Sequence, residues 1–188
     1  MRAVAYAQDL PDLLCIEPTV YADARGHFFE SFNHRNFEAA IGRSINFVQD
    51  NQSRSVRGVL RGLHYQRPPN AQGKLVRVVQ GEVFDVAVDV RRDSPTFGRW
   101  AGLHLSEDNR LQHWVPEGFA HGFLVLSDYA DVQYKTSDYW SPACESSIAW
   151  DDPAIAIAWP LNSSPILSEK DAQAGGLGDV PDLPWLVL

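Results

Sequence analysis

The stretch RGLHYQ, residues 61–66, sets an arginine and a histidine three positions apart, and a lysine follows at Lys74. An unperturbed histidine titrates near ~6.5, so at neutral pH it is largely a proton acceptor. A lone histidine in an apolar run is nevertheless more often a structural residue, and His64 alone does not decide the matter. On a regular strand Arg61 and His64 face opposite ways. Gly62 lies between them, and glycine inside a strand often marks a bulge, which adds one residue and reverses the parity. The sequence therefore predicts a bulge at Gly62 that turns Arg61 and His64 into one cavity.

Two further stretches place polar chemistry on apolar faces. In KLVRVVQGEVFDVAVDV (74–90), a two-residue turn at Gln80-Gly81 makes a hairpin, with Lys74 opposite Ala87 and Asp85 its diagonal neighbour. Lys74 and Asp85 then share a face with Val76, Val78 and Val83, where charges are costly unless paired. A salt bridge without catalytic meaning fits this as well. In VQYKTSDYW (132–140), alternation puts Val132, Tyr134, Thr136, Asp138 and Trp140 on one side of a strand and Tyr139 on the other, structural side.

The elements that must position these residues read as short strands. Runs of β-branched and aromatic residues between Gly, Pro, Asp and Ser lie near 28–32, 45–51, 59–66, 74–79, 82–90, 99–105, 112–115, 121–126, 131–140, 147–151 and 155–159. So many strands with turns between them predict an all-β sandwich or barrel. One helix is expected over 34–42, ended by Gly42. The 188 residues fit one domain, 1–188, with a Gly/Pro-rich tail over 173–188.

Net charge is −8, which argues against nucleic acid as a general partner. Residues 25–77 run against this trend, with nine Lys/Arg and three Asp/Glu, a balance of +6 suited to a focused anion site. No apolar stretch approaches the ~20 residues that cross a bilayer. The first apolar run breaks at Gln8 and Asp9, too early for a signal-peptide core. Cys15 and Cys144, without a CxxC pattern, read best as free thiols of a cytoplasmic protein, with one long-range disulfide as the weaker option.

FFESFN (28–33), FVQDNQSRS (47–55), GVLRGLHYQ (58–66), QGKLVRVVQGEVFDVAVDVRRDSPTFG (72–98), WVPEGFAHGFLVLS (114–127), YKTSDYW (134–140) and LSEKD (167–171) resemble the dTDP-4-dehydrorhamnose 3,5-epimerase family over roughly residues 1–172. The resemblance implies a cupin-type jelly roll, a homodimer with exchanged N-terminal strands, and a step in dTDP-L-rhamnose synthesis. PEGFAHGF (116–123) is similar to the second cupin motif, with His121 in the usual metal-ligand position. The first motif reads His64-Tyr65-Gln66 instead of HxH, so too few donors remain, and neither metal nor other cofactor is expected.

The implied reaction inverts C3 and C5 of dTDP-4-dehydro-6-deoxy-D-glucose. Both carbons are α to the C4 ketone, and an enolate needs a base, a donor on the opposite face and a cation at its oxygen. By resemblance His64 is the base, Asp171 its orienting carboxylate and Tyr134 the donor, whose loss of a proton a nearby Lys74 eases. Lys74 is the candidate for the enolate oxygen, with Asp85 holding its ammonium. Arg25, Glu30, Gln49, Asn51, Arg61, His121, Glu145 and Lys170 match contacts to the sugar, diphosphate and nucleoside, where guanidinium groups suit phosphate. Arg25 and Glu30 are placed to serve the partner subunit's site. Asp50 is expected to point away and brace an arginine. Trp140 stands where the family commonly has a tyrosine stacked on thymine. His27, His34, His104 and His113 are expected to be structural or on the surface. The alternatives are an epimerase acting at one carbon of a related 4-keto-6-deoxy nucleotide sugar, a non-catalytic nucleotide-sugar-binding cupin and, last, a metal-dependent cupin.

Overall fold

A computed structural model describes residues 1–185. The strands are β1 (Arg2–Ala5), β2 (Leu14–Glu17), β3 (Val20–Asp23), β4 (Gly26–Phe29), β5 (Gln49–Val56), β6 (Leu60–Gln66), β7 (Lys74–Gln80), β8 (Glu82–Asp89), β9 (Trp100–Ser106), β10 (Gln112–Val115), β11 (Phe119–Val125), β12 (Tyr129–Thr136) and β13 (Glu145–Ser147). They form a six-stranded sheet in the order β1-β2-β10-β7-β12-β5 and a five-stranded sheet in the order β13-β6-β11-β8-β9, with β3-β4 as a separate ribbon. The fold is the expected double-sheet, cupin-type sandwich. Val76, Val78 and Val132 of the first sheet meet Val83, Leu105 and Phe123 of the second in one buried cluster.

The expected helix is α1 (His34–Ile41). Asn33 caps it by accepting from the Asn36 amide, and Gly42 ends it in the left-handed conformation at φ 75°. Its one buried residue, Phe37, packs near Trp114 and Phe47 on the outer face of the first sheet.

The β7–β8 hairpin does not form. β7 lies between β10 and β12, whereas β8 lies between β11 and β9, so the Gln80-Gly81 link carries the chain from one sheet to the other. Each strand meets two other partners, which leaves no free edge for the hairpin ladder. The shared face survives because parity depends only on the two-residue period. Lys74 and Asp85 are both buried, and Val76, Val78 and Val83 join the same inter-sheet cluster.

Strands β1, β2 and β3 were not expected, the strand expected near 147–151 runs over 145–147 with a further bridge from Ile148 to Gly175, and 155–159 forms no strand. Pro153 and Pro160 flank that last segment and Ala156 adopts a left-handed φ of 52°, which breaks extended pairing. In the expected tail, whose residues 186–188 lie outside the described residues, Leu177, Val180 and Trp185 cover Val86, Val88 and Tyr65 on the outer face of the second sheet.

The bulge at Gly62 is present. His121 pairs with His64 and Phe123 with Arg61, so Gly62 and Leu63 together oppose Gly122. Arg61 and His64 thereby lie opposite two residues of the same face of β11, and their parity is reversed as predicted. Gly62 has φ 124°, and a Cβ there would stand 2.6 Å from the Gly122 Cα. Gly62→Ala is therefore expected to destabilise the fold by about 2 kcal/mol or more. A urea midpoint equal to the wild type would show that Gly62 does not hold this backbone in solution.

Candidate active site

A cleft of about 120 Å³ opens where the two sheets part, lined on one wall by Gln49, Asn51, Lys74 and Tyr134 and on the other by His64 and Glu145, with Trp140 at its mouth. His64 comes from β6 in the second sheet, and Tyr134 and Lys74 come from β12 and β7 in the first. The sandwich thus sets a candidate base and a candidate acid on opposing walls.

Asp171 sits in α2 (Glu169–Ala172), whose first turn is capped by the Ser168 hydroxyl. Its carboxylate is buried and lies 2.5 Å from His64 Nε2. Burial pushes the Asp171 carboxyl up, but hydrogen bonding from His64 and Ser168 and from the Gly62 backbone outweighs it, so the group lies below the usual carboxylate range. An ionised carboxylate only accepts, so His64 Nε2 carries the proton of this bond and Nδ1 keeps its lone pair.

Lys74 is 8% exposed and its Nζ donates to the His64 carbonyl at 3.1 Å. Burial pulls its pKa down to about 8, against the opposing influence of Asp85 and Glu145. Tyr134 is half-buried, and burial raises its pKa while Arg61 lowers it.

Asp85 does not hold the Lys74 ammonium. Its Oδ1 meets His113 Nδ1 at 2.7 Å and its Oδ2 meets His121 Nε2 at 2.8 Å, all three side chains being buried. Burial raises the Asp85 carboxyl, but the two imidazoles more than reverse this and bring it to about 2. The expected contact failed because β10 and β11, not the proposed hairpin partner, supply the neighbours of Asp85. His113, expected to be structural or on the surface, is fully buried and bonds on its other side to Tyr6, at 2.8 Å. Nothing in the sequence around His113 or Tyr6 signals this.

The remaining positions divide. Gln49 Nε2 donates to Asn51 Oδ1 at 2.9 Å, and the Trp140 amide donates to Gln49 Oε1 at 3.1 Å, which ties the exposed indole to the cleft wall. Glu145 pairs with Lys170 at 2.7 Å, and Arg61 flanks the cleft with its Nε on Ser55 at 3.0 Å. Asp50 points away but braces Lys135 at 2.8 Å, not an arginine. Asp138, Tyr139 and Trp140 lie beyond the end of β12, and Tyr139 is 63% exposed, not a structural face residue. Gln66 was missed: it holds the loop below Trp140 by donating to the Tyr139 carbonyl and accepting from the Ser141 amide. Arg25 and Glu30 stand outside the cleft, on and beside the β3–β4 ribbon, paired with Asp23 and with Asn33 and Asn36.

A wider hollow of about 580 Å³ lies against the outer side of the first sheet, by Phe32, Arg77, Gln112 and Gln133. Tyr134 borders it as well, but its acid, Asp50, is occupied by Lys135 and no histidine lines it, so it offers no imidazole base to work against that phenol. Among the described residues no group of three or more His, Cys, Asp or Glu side chains is placed to hold a metal ion. Among them, too, no helix is long and apolar enough to cross a membrane, and Cys15 and Cys144 are free thiols.

Comparisons with known proteins bear on the family and the fold. The family model described as dTDP-4-dehydrorhamnose 3,5-epimerase matches residues 7–179. The Pseudomonas aeruginosa dTDP-4-dehydrorhamnose 3,5-epimerase is 58% identical over 184 residues, covering 98% of this chain and 100% of the relative. The Salmonella typhimurium protein of the same name is 59% identical over 165 residues, 88% of this chain and 90% of the relative. The crystal structure of a dTDP-6-deoxy-D-glucose-3,5-epimerase from Legionella pneumophila, in complex with dTDP-4-keto-L-rhamnose, superposes with a TM-score of 0.91 at 52% identity, covering 96% of this chain and 94% of that one. On a match of this extent, over a cleft that pairs His64 with Asp171 and faces Tyr134, the chain belongs to the dTDP-4-dehydrorhamnose 3,5-epimerase family.

Proposed function

We propose that the protein epimerises dTDP-4-dehydro-6-deoxy-D-glucose at C3 and C5, giving dTDP-4-dehydro-L-rhamnose without a cofactor. The observation that carries this reading is the His64–Asp171 pair, at 2.5 Å, on one wall of a cleft whose other wall bears Tyr134 and Lys74. His64 Nδ1 removes the proton α to the ketone, and the ionised Asp171 stabilises the imidazolium that forms. The Lys74 ammonium faces the negative charge that develops on the C4 oxygen, and burial makes that interaction stronger than in water. The Tyr134 phenol returns a proton from the opposite side, which inverts the carbon. The same set serves C3 and C5 in turn, because both flank one ketone.

For the nucleotide, the exposed Trp140 indole offers a stacking face and Arg61, whose Nε is held on Ser55, a guanidinium for the diphosphate. Arg25 and Glu30 belong to a ribbon whose Val20, Tyr21 and Phe28 are exposed. Apolar exposure of this kind suits a homodimer in which the ribbon reaches the partner subunit's cleft.

The test is proton NMR of the 4-keto sugar nucleotide with the protein in D₂O, with a 4-keto reductase added to trap product. Deuterium at both C3 and C5, with trapped dTDP-L-rhamnose, is the expected result. Deuterium at one carbon would reduce the activity to a single epimerisation, and none at either would overturn the proposal.

A further inference from the structure

Behind the cleft a line of buried polar groups runs from the residue following β1 to the ring beside His64. Tyr6 Oη lies 2.8 Å from His113 Nε2, His113 Nδ1 lies 2.7 Å from Asp85 Oδ1, and Asp85 Oδ2 lies 2.8 Å from His121 Nε2. His113 and Asp85 are completely buried, and the Tyr6 ring meets the His113 ring edge-on at 5.5 Å. His121 is 7% exposed and stands directly across from His64 in the β11–β6 register.

The protons in this line can be counted. An ionised Asp85 accepts on both oxygens, so His113 carries its proton on Nδ1 and His121 on Nε2. A second proton on His113 would put an imidazolium in the core, and the Tyr6 hydroxyl instead donates to the Nε2 lone pair, which leaves no polar atom of that ring unpaired. Burial holds the Tyr6 proton firmly, raising its pKa far above the usual phenol, and burial likewise lowers that of His121, which stays neutral. With Nε2 committed to Asp85, Nδ1 is the one polar atom the His121 ring has left, and it carries a lone pair.

We propose that Tyr6 and His113 are positioning residues for the reaction: acting through Asp85, they fix His121 as its Nε2–H tautomer, so that Nδ1 accepts a hydrogen bond from a hydroxyl group of the bound sugar. The identity of that sugar rests on the function proposed above, whereas the tautomers do not. A wrong tautomer would put an N–H against a hydroxyl, so the line selects how the hexose sits over His64.

Nitrogen NMR of the ¹⁵N-histidine-labelled, unliganded protein tests the arrangement without any substrate. The expected pattern is neutral His113 protonated on Nδ1 and neutral His121 protonated on Nε2. An imidazolium at either ring, or His121 protonated on Nδ1, would overturn the proposal. Tyr6→Phe keeps the edge-on packing and removes the donor, so the His113 Nε2 lone pair is left unpaired in the core and the line holds Asp85, and through it His121, less tightly. The variant is expected to raise KM for the 4-keto sugar nucleotide about tenfold while its affinity for dTDP, which lacks the hexose, is unchanged. An unchanged KM, or an equal loss for dTDP, would reject the positioning role. Should the sugar not be a substrate at all, the wild-type tautomers would still stand, and the fault would lie with the proposed function.

Discussion

His64→Ala is expected to abolish the incorporation of solvent deuterium at C3 and C5 together, with a loss of at least about 10³-fold in the exchange rate, while dTDP still binds. Both α-carbons flank the same ketone, and among the residues that line the cleft His64 is the one imidazole, its Nδ1 open once Nε2 is committed to Asp171, whereas the His121 Nδ1 is assigned above to a sugar hydroxyl. The neighbouring Asp171 cannot take over, because it is buried, held below the usual carboxylate range and therefore a weak base. Lys74 on the other wall is a cation at neutral pH and has no lone pair to offer. Abstraction at either carbon thus depends on one imidazole. The contacts assigned to the nucleotide, Trp140 and Arg61, are separate side chains, and alanine at a partly open position leaves them in place. Exchange retained at one carbon would require a second base, and exchange retained at both would reject the assignment.

The sequence showed faces better than partners, for a physical reason. Period-two alternation is a property of one strand, so Lys74 and Asp85 could be placed on the interior face without knowing the topology. Which strands lie beside them is a property of the whole chain. The Gln80-Gly81 pair has the composition of a hairpin turn, yet each flanking strand finds two other partners in a different sheet, and the carboxylate meant for Lys74 goes to His113 and His121. The Gly62 bulge was legible because glycine within a strand is costly and implies a local backbone need. The N-terminal strands were not, since β1 and β2 are four residues each and the exposed β3 carries no apolar alternation. In the site, His64, Lys74, Asp171 and Tyr134 were named from motif resemblance, and the structure brings them to one cleft or its immediate support. Tyr6 and His113 had no motif to announce them, because their meaning lies only in contacts across more than a hundred positions of chain.

Lys74 gives the second large effect, and its sign with pH separates chemistry from folding. Lys74→Met should lower kcat by about 10²–10³-fold, the usual cost of losing a donor at a developing oxyanion. In the wild type the ammonium is present below its pKa of about 8 and lost above it, so the rate should fall on the alkaline side through that value. Stability moves the other way. The folded pKa is depressed from 10.5, so between about 8 and 10.5 the unfolded chain binds more protons than the native protein, and on account of this group the fold gains stability as pH rises. Burial that disfavours the charged form is thus a cost carried at neutral pH, and the role proposed for the ammonium at the enolate gives a reason for it. Activity that declines above pH 8 while the urea midpoint holds or rises identifies loss of the cation, and the Lys74→Met variant should show no such alkaline limb. If rate and midpoint instead fall together, or the variant keeps the limb, another group titrates there and Lys74 is not the cation at the enolate oxygen.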